Sequence, residues 1–341
     1  MLPKPRATGA GRGPDYHRGV PTEPAPDRVP ADRRRLTLQR SLRYLALAVV
    51  VAFAAVFVAR EWSGFVDGLR RLDVVSVLGA VVAILAGLVA AMLSWRAVLT
   101  SLGSRLPVLA AARVYFLGQL GKYVPGSVWP IVAQAELSKE YGVPRARAGL
   151  ASLTQMLIGL VVGVCVAGVT LTLSAPDAFR TYWWIGLVAV AGVVVLVPPV
   201  FNRLIALAMR LTRRASSGDV IDGRGLLTSA LWCVVMWLAF GVHLWLLARS
   251  LGAPPAGLFL LSTGGYALAW VVGFVIVFLP AGAGAREAAL ILALGSAVGR
   301  QDALALALVS RFLMLVGDAV SAGAAILAEK SRARRADVSP S

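Results

Sequence analysis

The sequence predicts an all-α integral membrane protein, with about six full spans plus two proline-broken re-entrant helical hairpins arranged as inverted repeats. Three observations predict it. The composition is too apolar for water, six apolar runs have the length of a bilayer crossing, and two pairs of apolar runs broken at proline fall into register when the chain is slid against itself.

The 341 residues are 58% hydrophobic and only 15% charged, with a mean hydropathy of +0.76. A soluble domain carries about 25% charged residues and cannot hide this much apolar surface, so the bilayer is the expected solvent. The formal charge of +17 raises the question of nucleic acid. No basic stripe with interleaved aromatics accompanies it, and the arginines cluster in tails and between apolar runs, where membrane topology explains them; nucleic acid is not an expected partner. Cys165 and Cys233 both fall in apolar stretches, and the histidines, His17 and His243, are isolated. Neither a disulfide framework nor a metal or other cofactor site is expected.

Residues 1–35 carry Pro3, Pro5, Pro14, Pro21, Pro24, Pro26 and Pro30 among glycines and arginines. Such a segment buries too little apolar area to offset its ordering entropy, so a disordered, basic, cytoplasmic tail is expected. Residues 36–328 form the expected membrane domain, and 329–341 a second basic cytoplasmic tail. Spanning-length runs occur at about 42–59, 74–95, 148–173, 183–201, 226–248 and 303–327, each near the ~20 residues that a bilayer core demands.

Two stretches, 108–141 and 258–298, each contain two apolar arms joined by a break, at Pro125-Gly126 and at Pro280-Ala281-Gly282. The arms at 108–122, 127–141 and 284–298 are short for a crossing and suit re-entrant helices; the arm at 258–279 is long enough to cross. With a cytoplasmic N-terminus, the inside segments hold most of the arginines, among them Arg96, Arg105, Arg145, Arg147, Arg203, Arg210, Arg213 and Arg214. The outside segments hold few, such as Arg70, Arg71 and Arg300. Both termini are therefore expected inside.

A shift of 155 residues sets Tyr123, Pro125, Arg145 and Gly168 on Phe278, Pro280, Arg300 and Gly323. The halves, about 74–173 and 229–328, then each read as span, broken hairpin, span, entered from opposite sides. Inverted repeats with interrupted helices are a signature of alternating-access transporters.

An ionisable group at bilayer depth costs at least ~2.5 kcal/mol on insertion scales and needs a partner, a water-filled cavity or a function. Lys122, with Tyr123, precedes the first break, and Arg286 and Glu287 follow the second. In one reading Lys122 and Arg286 hold a lipid phosphate beside the freed amides of the returning arm, while Glu287 and Glu136 balance them or engage a cationic headgroup. In the other, Arg286 with Glu136 or Glu287 simply pins the hairpins. Arg311 and Asp318 lie two turns apart on one face of the last span, a rise of ~10 Å, so they meet only by long side-chain reach. Gln155 suits an interhelical hydrogen bond more than a polar path. His243 reads as a packing residue more readily than as a proton relay. Trp62, Trp95, Trp183 and Trp184 near span ends fit an interfacial belt, and Gly159 with Gly163 fits close helix packing, within the chain or between copies in a homo-oligomer.

The stretch Leu120-Gly121-Lys122-Tyr123-Val124-Pro125-Gly126-Ser127-Val128-Trp129-Pro130, with Pro280-Ala281-Gly282-Ala283-Gly284-Ala285-Arg286-Glu287-Ala288-Ala289, resembles the two hallmark segments of the lysylphosphatidylglycerol synthase transmembrane, or flippase-like, family. The resemblance covers roughly residues 40–328. It implies a lipid flippase module in a bacterial cytoplasmic membrane. With few residues after the last span, the aminoacyl-transferring synthase half of the bifunctional members, and enzymatic activity with it, is not expected. Members commonly show a Glu-Arg pair in the third span, where this chain carries Gln155-Met156. The competing expectation is a non-transporting partner of an envelope lipid or glycan synthesis enzyme, docked through the arginine-rich 202–225 segment.

Overall fold

A computed structural model describes residues 66, 68–123, 128–174, 184–211, 221–275 and 284–338. The expected run at 42–59, the 1–35 tail, Trp62, Trp183 and the breaks at Pro125, Gly126, Pro280 and Gly282 lie outside the described residues. Every regular element within them is helical: α1 (Val74–Ser101), α2 (Val108–Gln119), α3 (Trp129–Ser138), α4 (Arg145–Ser174), α5 (Trp184–Val195), α6 (Pro198–Leu211), α7 (Gly223–Ser250), α8 (Leu258–Val275), α9 (Ala285–Val298) and α10 (Arg300–Val338). Short 3-10 turns at Leu120–Tyr123 and Lys139–Tyr141 extend α2 and α3.

Four of these helices, α1, α4, α7 and α10 through Ser331, are long and apolar enough to cross a membrane. They fall on four of the six expected spans. The run expected to cross at 183–201 does not continue as one helix. It turns at Leu196–Val197, because Pro198 and Pro199 cannot donate to the preceding turn but suit the first positions of a new helix, α6. At the other end, α10 stays helical to Val338, well past the expected start of the tail at 329, through good helix formers such as Ala328, Glu329, Lys330 and Arg332.

The outer surface differs from that of a soluble protein. Val74, Val75, Leu78 and Val82 of α1, Leu227 and Leu231 of α7, and Val169 and Leu173 of α4 are exposed, while Ser94, Gln134, Ser229, His243, Thr263, Glu287 and Asp318 are buried. Apolar faces outside an apolar core that also encloses polar groups are stable where hydrocarbon is the solvent, since lipid solvates the faces and the protein satisfies the enclosed groups. The chain is a membrane protein.

α1 and α7 lie side by side and antiparallel. Gly79 meets Leu246, Gly87 meets the Phe240 ring and Gly225 meets Ser101; between them Ser94 Oγ shares a hydrogen bond with Ser229 Oγ at 2.8 Å. Both helices have 28 residues and matching ends. Asp73 and Asp222 cap the first turns with their carboxylates, and Gly103 (φ 82°) and Gly252 (φ 80°) follow the last turns in left-handed geometry that other residues adopt at a cost. Elsewhere packing is reciprocal. α2 rests on α10 and α8 on α4, α4 runs parallel to α7 through Gly163 and Trp237, and α10 runs parallel to α1 through Gly317 and Ile84.

Small residues set these separations. The Trp237 ring fills the surface of Gly163, and its Nε1–H donates to the Gly159 carbonyl at 3.1 Å, so the small-residue pair serves packing within the chain. Trp95 departs from the belt expectation. It is fully buried and donates Nε1–H to Ser152 Oγ at 3.1 Å, because the α1 turn that carries it faces α4 rather than lipid.

Candidate functional site

The two short-helix pairs, α2 with α3 and α8 with α9, bring charge into the interior. Gly118 and Gly121 let the first pair close: a Cβ on Gly118 would stand 2.3 Å from Gln134 Cγ, and one on Gly121 2.9 Å from the Pro130 nitrogen. That close approach leaves the Leu120–Tyr123 turn directed at α10. There Lys122 Nζ lies 2.6 Å from Asp318 Oδ2, and the Tyr123 hydroxyl donates to the same oxygen at 2.5 Å. Asp318 is 3% exposed against 31% for Lys122, so the carboxylate is sealed in while the lysine side chain is partly exposed.

The second pair contributes α9. Gly284, with φ 84°, begins it, and its N–H donates to Glu287 Oε2 at 2.6 Å, so Glu287 caps its own helix. The other Glu287 oxygen pairs with the Arg311 guanidinium of α10. Arg286, one residue earlier, takes a different partner. Its Nη2 donates to the Tyr266 hydroxyl of α8 at 3.1 Å, and its guanidinium sits 5.5 Å from the centre of the same ring. His243 of α7 is fully buried, meets the Tyr266 ring edge-on at 4.8 Å and shares a hydrogen bond with Ser310 Oγ at 2.9 Å. Arg311 and Asp318 lie two turns apart on α10, which sets the two groups of charges side by side in one site.

Of the residues expected at the site, Lys122, Tyr123, Arg286, Glu287, Arg311 and Asp318 converge. Arg311 and Asp318 share a helix face but not each other: each pairs with a short-helix element instead. Glu136 is placed elsewhere. It is half-exposed on α3 and pairs with Lys139 at 3.0 Å and Arg145 at 2.6 Å, holding the end of α3 to the start of α4. Gln155 is buried between α4 and α7 beside Cys233. Tyr266 and Ser310 are the residues that sequence reasoning missed as site components. The signal for Tyr266 was a lone phenol in an apolar run after Gly264-Gly265, since a buried tyrosine hydroxyl requires a partner.

Physically, the arrangement is a polar cluster inside an apolar bundle, which among the described residues holds three cations and two carboxylates. Two of the cations are matched by carboxylates. Among the described residues Arg286 has only a phenol, so the site can attract an anion.

A family model described as the lysylphosphatidylglycerol synthase TM region matches residues 43–321. No curated protein matches the chain.

Proposed function

We propose that this chain, which belongs to the lysylphosphatidylglycerol synthase TM region family, moves a polar-headed phospholipid between the leaflets of a bacterial cytoplasmic membrane. The observation that carries the reading is the set Lys122, Arg286, Glu287, Arg311 and Asp318, gathered at helix interruptions inside the bundle, where charge is costly unless it serves a purpose. The headgroup enters between the two short-helix pairs, its phosphate meets Arg286, and the acyl chains remain in lipid. No bond is made or broken, so the activity is transport and not catalysis.

Two further features support it. The antiparallel α1 and α7, with matched caps and reciprocal packing of their followers, are what an inverted repeat of span, broken hairpin and span requires. Contacts also sort the loops as the arginine count does, Arg71 meeting Asp302 at one end of the bundle and Arg113 meeting Glu140 and Glu329 at the other. In this reading the second end, with both termini, is cytoplasmic. The test is reconstitution in vesicles with fluorescent phospholipids and a membrane-impermeant quencher. Movement above protein-free vesicles, lost in Arg286→Gln, is the expected result; no movement for any lipid tried would sink the proposal.

A second reading has its own observation. In α6, Leu204 and Leu207 are exposed beside Arg203, and Asn202 clamps the helix to Ile221 through two hydrogen bonds, at 3.0 and 3.2 Å. An amphipathic surface that carries Arg203 suits a partner protein such as an envelope-synthesis enzyme. Under this reading Arg203→Glu disrupts a complex while Arg286→Gln is silent.

A further inference from the structure

We infer that the site selects lipids whose headgroup presents one phosphodiester and one net negative charge. The inference rests on the lipid-moving reading and adds the charge class of the ligand. It starts from the charge balance. Asp318 is committed to Lys122 at 2.6 Å and to the Tyr123 hydroxyl at 2.5 Å, and Glu287 is committed to Arg311 and to the Gly284 N–H. Both carboxylates are at least nine-tenths buried, so neither can exchange its cation for water cheaply. Arg286 is left over. Among the described residues the partner of its guanidinium is the Tyr266 hydroxyl, a phenol rather than a carboxylate. Among the described residues, three cations against two carboxylates leave the site one positive charge in excess.

A ligand with one negative charge closes that balance. A zwitterionic headgroup brings an ammonium whose natural partners, Asp318 and Glu287, are already taken. A headgroup with two phosphates leaves a negative charge uncompensated in a low-dielectric interior, where such a group is heavily penalised.

Geometry adds a second constraint. Arg286 spends one Nη2–H on Tyr266 and lies over the Tyr266 ring, which fixes the plane of the fork. Its remaining donors can take the two non-bridging oxygens of a phosphodiester side by side, the planar match that makes arginine a better phosphate reader than lysine. Arg286 is half-buried, so those donors remain within reach of a headgroup.

The experiment is native mass spectrometry of the detergent-purified full chain, offered equimolar phosphatidylglycerol, phosphatidylethanolamine and cardiolipin. The wild type is expected to retain phosphatidylglycerol about tenfold or more over phosphatidylethanolamine, the size of effect expected when a desolvated ammonium is left without a partner. Arg286→Gln removes that preference, Arg286→Lys keeps part of it, and retention of cardiolipin is the same in all three proteins. Equal wild-type retention of phosphatidylglycerol and phosphatidylethanolamine overturns the inference, as does a loss in Arg286→Gln that extends equally to cardiolipin. The wild-type comparison and the lysine variant decide the matter if the glutamine variant does not fold. Arg286-dependent retention without lipid movement in vesicles removes the transport reading and leaves this assignment standing. Movement without charge preference does the reverse.

Discussion

Lys122 and Asp318 are joined across 195 residues of sequence, with Tyr123 donating to the same carboxylate oxygen. The two ends of the pair differ in environment: the ammonium is 31% exposed and the carboxylate 3%. Lys122→Met therefore strands a buried carboxylate, whereas Asp318→Asn leaves an ammonium that can turn toward water. Leaving a buried polar group unsatisfied costs about 1–3 kcal/mol, more for a charged one. Thermal unfolding in detergent should place Lys122→Met below Asp318→Asn, with the double variant Lys122→Met/Asp318→Leu recovering part of the loss. Equal single effects would contradict the asymmetry.

Small residues at helix contacts give a graded series. A methyl on Gly241 would sit 2.0 Å from Thr263 Oγ1, and one on Gly163 2.8 Å from Trp237 Cζ2, whereas on Gly323 it meets nothing within 4 Å. Overpacking of this kind costs about 1–3 kcal/mol, while alanine in an open helical position gains up to about 1 kcal/mol over glycine. Gly241→Ala and Gly163→Ala should lower the melting temperature and Gly323→Ala should hold or raise it. A melt of all three in one detergent checks the order.

Spans and charges were legible for a simple reason. Hydropathy over a window reports what the bilayer requires, so α1, α4, α7 and α10 stand where the runs at 74–95, 148–173, 226–248 and 303–327 placed them. Insertion cost likewise singles out Lys122, Arg286, Glu287, Arg311 and Asp318. Partner choice was not legible. Arg311 and Asp318, seven residues apart, suggest each other by helical spacing, yet tertiary packing gives Arg311 to Glu287 and Asp318 to Lys122. Trp95 was misread because its apolar surroundings look alike in sequence whether they are lipid or α4. The turn at Leu196–Val197 was readable, since Pro198-Pro199 stands in the sequence; window hydropathy averages over it. The ends of α1 and α7 carried a further signal in their caps. Asp73 and Asp222, like Gly103 and Gly252, lie 149 residues apart, a register that the 155-residue shift of the hairpins obscures.

Two ionic contacts hold opposite ends of α10 with different strength. Arg71–Asp302 is one bidentate pair, at 2.7 and 2.9 Å, 51% and 18% exposed, at the upper end of the about 0.2–1 kcal/mol that exposed pairs are worth. Arg113 instead engages Glu140, Glu329 at 2.7 Å and the Tyr141 hydroxyl, and Tyr141 in turn donates to Glu329. Shared partners make such networks non-additive. Asp302→Asn should shift the melt little. Arg113→Ala and Glu329→Gln should each shift it more, and the two together by less than the sum of their separate effects. Additive effects would mean the four groups do not act as a unit.

Asp222 caps α7, accepting from the Gly225 N–H at 2.9 Å and from the Ser101 hydroxyl, while its own N–H donates back to Ser101 Oγ at 3.0 Å. Those donors hold its carboxyl below the ordinary value of 3.8, the Ser101 hydroxyl contributing most. Because the folded value is the lower one, the cap's charge-dependent contribution is complete above about pH 4 and is lost as pH falls through the depressed value. Replacing an aspartate N-cap by alanine costs about 1 kcal/mol. The melting gap between wild type and Asp222→Ala should therefore be full at pH 7 and narrow in acid, while Asp222→Asn, which caps without titrating, should show a gap to Asp222→Ala that does not change with pH. A wild-type gap that stays constant down to pH 3 would mean that this carboxylate is not what the first turn of α7 depends on.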